Sequence, residues 1–136
     1  MLIEGKSIIR KLFVILEELD DENSISLTIK IFRQMFRNSE IIVQFLQKFP
    51  NTLNFLLFVC QQHWAYDHAF AEGLNTISSA ISNEENFEFI RTENLRAVLV
   101  YQEVELGEQG NKALSVFLEA INKSVNHSQF LKKIGV

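Results

Sequence analysis

Apolar side chains recur along this chain at steps of three and four, the spacing that keeps them on one side of an α-helix. Over residues 2–19, Ile8, Ile9, Leu12, Ile15, Leu16 and Leu19 form such a stripe and predict a helix with those residues inward. The polar run Asp20, Asp21, Glu22 and Asn23 stops it. Ser24 is placed to cap a second helix reaching about Arg37, with Ile25, Ile29, Phe32 and Phe36 inward. Ser39 is placed to cap a short third helix, which runs to Phe49 and ends there because Pro50 disfavours helical geometry in the residue before it.

Asn51 or Thr52 opens a helix of another kind. Leu53, Phe55, Leu56, Leu57, Phe58, Val59 and Cys60 leave it no polar side, so it is expected to be buried on most sides, in the middle of the molecule. A break follows near 63–66. The next helix covers about 67–82, with Phe70, Gly73, Leu74, Ile77 and Ile81 inward. A short helix at 85–91 precedes one at about 94–104 that carries Leu95, Val98, Leu99 and Tyr101. Gly107 and Gly110 punctuate a loop at 105–110. Helix 111–123 turns Leu114, Phe117, Leu118 and Ile121 inward, and a last short helix is expected at 126–133.

Two of these stretches match each other. Ile77, Ala80, Phe89 and Ile90 stand 41 positions before Leu118, Ile121, Phe130 and Leu131. A helical period of about 40–47 residues marks HEAT and armadillo solenoids. The helix order is long, long; short, long, long; short, long, long; short. It resembles the armadillo repeat, a short first helix followed by two longer ones, over nearly the whole chain. The resemblance implies an all-α fold: an armadillo-like α-solenoid of about three repeats, a right-handed superhelix built as one domain over 1–136. The first unit lacks a short helix, and residues 126–136 read as the opening of a fourth unit. The apolar Leu131, Ile134 and Val136 do not look like a cap, so the chain is expected to be cut from a longer solenoid or to pair at its ends, which leaves room for a homodimer through exposed end helices. The competing architecture is a non-repeating helical bundle serving oligomerisation or binding an apolar small ligand.

Composition narrows the function. A net charge of −4 argues against nucleic acid, whose binding rests on phosphate neutralisation. Cys60 is the sole cysteine, so no internal disulfide can form. The longest apolar run, residues 55–60, falls far short of the roughly 20 residues of a membrane span. The opening residues do not read as a secretory leader. A cytoplasmic protein is expected, with the nucleus left open.

Chemistry is sparse. Cys60, His63 and Asp67 have a spacing that one unbroken helix would gather for zinc, but aromatic neighbours and the expected break count against it. His68 and Glu72 stand four apart and read as a surface hydrogen bond rather than an acid–base pair. There is no nucleophile elbow and no phosphate loop. No cofactor or metal is expected, and no catalysis.

In armadillo proteins the third helices line a groove that grips an extended peptide. The resemblance places those helices at about 24–37, 67–82 and 111–123. Their outward faces then carry Lys30, Arg33, Gln34 and Arg37; Asn75, Ser78, Ser79 and Ser82; and Lys112, Glu119 and Lys123. A polar row continued from unit to unit suits an extended ligand, whose backbone donors and acceptors need partners along its length. The basic end at Lys30 and Arg37 favours an acidic segment. The family's peptide-binding members place an Asn near the end of each third helix; here those positions are Gln34, Ser79 and Ala120, which departs from nuclear-signal and catenin-type capture. Trp64 and Tyr66 are a further anchor if exposed. The expected function is a non-enzymatic protein–protein interaction module, a scaffold or regulatory domain.

Overall fold

The computed structural model describes residues 6–102 and 104–122. All regular structure among them is helical: α1 (Lys6–Glu18), α2 (Glu22–Met35), α3 (Ser39–Lys48), α4 (Thr52–Gln62), α5 (Asp67–Ile81), α6 (Thr92–Leu99) and α7 (Glu108–Asn122), with 3-10 turns at Glu84–Phe89 and Val100–Gln102. The short helix expected at 126–133 lies outside the described residues, as does Lys123.

Helix α5 is the centre of the molecule. It lies against α2 on one side, α7 on another and α4 on a third, while α4 also packs on α6. Helices α2 and α7 share no extensive contact. This position explains why α5 is buried at Ala69 through Leu74, at Thr76 through Ser78, and at Ala80 and Ile81. Its side chains are small where neighbours come close. A Cβ added to Gly73 would sit 2.3 Å from the Cys60 Sγ of α4, so the absence of a side chain at 73 sets the approach of α4 to α5.

The abundant phenylalanines hold the first four helices together. Phe13 of α1 stacks on Phe32 of α2 at 5.4 Å and meets Phe55 of α4 edge-on at 5.3 Å. Phe45 of α3 lies 5.5 Å from Phe36 and 5.1 Å from Phe49. Turning Phe13 inward rotates α1, and the expected inward stripe is corrected as a result. Ile9 and Leu16 are buried, but Ile15 stands 47% exposed. In α4 the apolar run is buried as expected at Leu53, Leu56, Leu57, Val59 and Cys60, yet Phe58 is 51% exposed.

The starts of α2, α3 and α7 are held by side-chain acceptors. The Asp21 carboxylate accepts from Ser24 N at 2.9 Å and caps α2 in place of Ser24. Hydrogen bonds from the side chain and then the backbone of Ser24 hold the Asp21 carboxyl below the usual carboxylate range. Asn38, not Ser39, caps α3 by accepting from Glu40 N and Ile41 N. Helix α7 begins at Glu108, three residues before its expected start, because Asp67 reaches across from α5. Its carboxylate accepts from Gln109 N at 3.1 Å and Gly110 N at 2.7 Å. A Cβ on Gly107 would lie 2.4 Å from the Asp67 Cγ, so what reads as loop punctuation is clearance for this carboxylate.

The neighbours of Asp67 complete a clasp. Tyr66 donates its hydroxyl to Asp20 O at 2.9 Å, and His68 N donates to the Glu22 carboxylate at 3.1 Å. The His68 ring nitrogen Nδ1 is 2.7 Å from Gln109 Oε1. Three consecutive residues thus tie the N-terminal ends of α2, α5 and α7 together. A second tie joins α4 to the start of α6. Asn54 donates to Phe89 O at 3.0 Å and accepts from Arg91 N at 2.9 Å and Asn94 Nδ2 at 2.7 Å. No described helix is long and apolar enough to cross a membrane.

Candidate functional site

The side-by-side order of α2, α5 and α7 brings the sequence-predicted rows onto neighbouring helices. On α2, Lys30 and Gln34 are exposed, as is Arg37 just beyond its end. On α5 and its C-terminus, Asn75 is half-buried while Ser79 and Ser82 are exposed. On α7, Lys112 and Glu119 are exposed. Ser78 is a correction: it is 6% exposed and turns its hydroxyl back to Leu74 O at 2.8 Å. A helix flanked on three sides leaves only a narrow open strip, and position 78 falls outside it.

Arg33 is also committed. Its guanidinium lies 3.3 Å from the carboxylate of Glu72, a residue of α5 that is 8% exposed. A buried carboxylate needs a partner, so Arg33 serves α2–α5 packing as much as the surface. The expected His68–Glu72 pair does not form; each side chain reaches a neighbouring helix instead. Lys30 and Arg37 form no ion pair among the described residues.

The face is less polar than its sequence suggests. Leu27 is 63% exposed and Ile31 45% exposed. With Lys30 and Gln34 they occupy positions three and four apart on the side of α2 opposite Ile25, Ile29, Phe32 and Phe36. Val116 of α7 is 47% exposed and sits four residues after Lys112. It forms one wall of a groove of about 280 Å³ between α5 and α7, with Ala71, Glu72, Asn75, Gln109, Lys112 and Ala113. These exposed apolar residues stand outside the rows expected from the sequence, where large apolar side chains are assigned to the core. Their phase on the helix, opposite a complete buried stripe, was the available signal.

The other chemistry suggested by the sequence is dispersed. The buried Cys60 thiol faces Phe70 O, His63 stacks on Tyr66 with ring centroids 5.5 Å apart, and Asp67 caps α7. Among the described residues no three His, Cys, Asp or Glu side chains are grouped to hold a metal ion. Burial pushes the Cys60 thiol up to about 12, the opposite of an activated nucleophile. Tyr101 is raised by burial and by the nearby Cys60. Trp64 is 42% exposed, 6.3 Å from the Tyr101 ring.

A second hollow, of about 460 Å³, opens between α1 and the α3–α4 turn, walled by Phe13, Phe49 and Phe55 with Glu17 and Lys48 at its sides. The chain matches no protein-family model, no curated protein and no solved structure.

Proposed function

We propose that the chain is a non-enzymatic protein–protein interaction module, an armadillo-like α-solenoid of about three right-handed repeats that binds a partner segment across α2, α5 and α7. The observation that carries this reading is the exposed row on α2, where Leu27 and Ile31 alternate with Lys30 and Gln34 and lead to Arg37. Large apolar side chains beside uncommitted basic ones suit a partner segment that is both apolar and acidic.

The solenoid reading is supported by how the helices follow one another. Helix α5 lies between α2 and α7, and those two do not pack extensively on each other, as they would in a closed bundle. The long-range side-chain ties span 35 to 46 residues: 35 for Asn54–Phe89, 37 for Arg91–Asn54, 39 for Arg33–Glu72, 40 for Asn54–Asn94 and Tyr101–Gln61, 41 for His68–Gln109, 43 for Gly110–Asp67 and 46 for Tyr66–Asp20 and His68–Glu22. Ties of this span, near the 40–47-residue period of helical solenoids, suit a stack of repeats. A cytoplasmic setting belongs to the same proposal. The alternative of an apolar-ligand domain is favoured by one feature, the phenylalanine-walled hollow beside α1.

The test compares partners captured by the wild-type chain with those captured by a Leu27→Asp, Lys30→Glu, Arg37→Glu variant, identified by mass spectrometry and then titrated as purified proteins. Arg33 is left intact because its loss would strand the Glu72 carboxylate. A partner that binds the wild-type chain and loses at least about tenfold in affinity for the folded variant supports the reading. Partners held equally by both would remove this face from consideration.

A further inference from the structure

Helix α1 closes on charges that oppose its own helix. The N-terminal end of a helix favours negative side chains and the C-terminal end positive ones. Helix α1 has no acidic residue in its first turn and no basic residue in its last. Its described basic side chains, Arg10 and Lys11, precede the middle, and its acidic ones, Glu17 and Glu18, close the helix. The two sets cannot relieve each other internally. Lys11 and Glu18 are seven residues apart, about 10 Å along the axis, beyond an ordinary ion pair. A local arrangement that costs stability points to a compensating contact elsewhere.

The outward face of the same helix supplies the geometry of that contact. Ile9, Leu12, Phe13, Leu16 and Leu19 face the core, fully or half-buried. Lys11, Val14, Ile15 and Glu18 point the other way, with Val14 at 53% and Ile15 at 47% exposure. Along this stripe the order is positive, apolar, apolar, negative. It is self-complementary under one operation: a two-fold axis between Val14 and Ile15 that sets two copies antiparallel. That axis places Val14 against the partner's Ile15 and Lys11 against the partner's Glu18, twice over. Arg10 and Glu17, which share one flank, are brought together by the same rotation. The two helix dipoles also run in opposite directions. A parallel pairing would instead bring like charges together.

We propose that α1 is a homodimer interface, in which a second copy of this chain packs antiparallel on the Lys11, Val14, Ile15, Glu18 stripe. The proposal is independent of the partner-binding face on α2, α5 and α7. The interface is small and rich in ion pairs, so the dimer is weak and loosens as salt rises.

Sedimentation equilibrium of the full chain over a wide concentration range tests it, at low and high salt. The wild-type chain self-associates to a dimer. Lys11→Glu and Glu18→Lys each weaken association by about tenfold or more, since each replaces two attractive pairs with repulsive ones. An equimolar mixture of these two variants regains dimer, and so does the Lys11→Glu, Glu18→Lys double variant on its own. Ile15→Glu, at a half-exposed position, abolishes association without loss of helicity by circular dichroism. The double variant places its charges in the order α1 itself favours, so its behaviour cannot be blamed on a melted helix. A wild-type chain that stays monomeric throughout overturns the proposal. So does association that α1 variants leave unchanged, or single-variant losses that neither mixing nor the double substitution repairs.

Discussion

Gly73→Ala is the most exacting test of how α4 meets α5. The new methyl would lie 2.3 Å from the Cys60 Sγ, more than an ångström inside ordinary van der Waals separation. Both residues are buried on helices, so the Cys60 sulfur can leave the new methyl only by turning into packed surroundings. Overpacking of this kind costs about 1–3 kcal/mol. Against it, alanine is the better helix former by about 1 kcal/mol. The single variant should therefore lose up to about 2 kcal/mol. Cys60→Ala removes the sulfur and leaves a small void, a loss of about 1 kcal/mol. Combined, the two changes should repair each other. The methyl added at position 73 enters the vacated space, with Ile29 Cδ1 at 3.8 Å and the Cβ of residue 60 at 4.0 Å, both ordinary contacts. The double variant should stand close to the wild-type chain, with a coupling of about 1–3 kcal/mol. Urea unfolding followed by circular dichroism measures all four proteins, provided the slope against urea stays constant. Losses that simply add in the double variant would refute the reasoning, because the clash would then not be with the sulfur.

Two further outcomes follow from single side chains. Asn54→Ala removes three hydrogen bonds joining α4 to the start of α6, and should cost about 2–3 kcal/mol in a thermal or urea melt; a loss below about 0.5 kcal/mol would show that water replaces them. Alkaline pH should weaken the fold through Cys60, whose thiol is pushed up to about 12 in the folded chain, against about 8.5 when unfolded. The folded value is the higher, so this contribution is intact below about pH 8.5 and declines by about 1.4 kcal/mol per unit as pH rises toward the folded value. The wild-type advantage over Cys60→Ala of about 1 kcal/mol should vanish a little above about pH 9 and reverse by about pH 11, and a constant gap would mean the thiol is not shielded.

The helical framework was legible because complete stripes leave little choice. Ile25, Ile29, Phe32 and Phe36 are all buried, and α3 ends two residues before Pro50. Helix α1 was harder. It offers two interlaced stripes, through Ile15 or through Phe13 and Leu16, and the choice rests on ring contacts with Phe32 and Phe55 that no local pattern contains. The start of α7 was illegible for the same reason, since its cap is a carboxylate more than forty residues earlier in the chain. Within the candidate site, helical phase showed that Lys30, Gln34, Ser79 and Lys112 would be open. It could not show that Glu72 claims Arg33 or that Ser78 is covered, because both depend on how closely α2 and α7 flank α5.

The clasp at Tyr66, Asp67 and His68 has a mechanical meaning. It fastens three neighbouring helices at one end, through Asp20 and Glu22 on one side and Gln109 and Gly110 on the other. Rods pinned at a common edge resist sliding but can still fan apart at their free ends. Phe36 against Phe45 and Arg33 on Glu72 hold the far end of α2, so changes in curvature would be taken up toward the C-terminal end of α5, where Ser82 lies. A ligand laid across the molecule would meet a stiff rail beside His68 and a compliant one beside Ser82. Amide hydrogen exchange along α5 should register that gradient from one end of a single helix to the other.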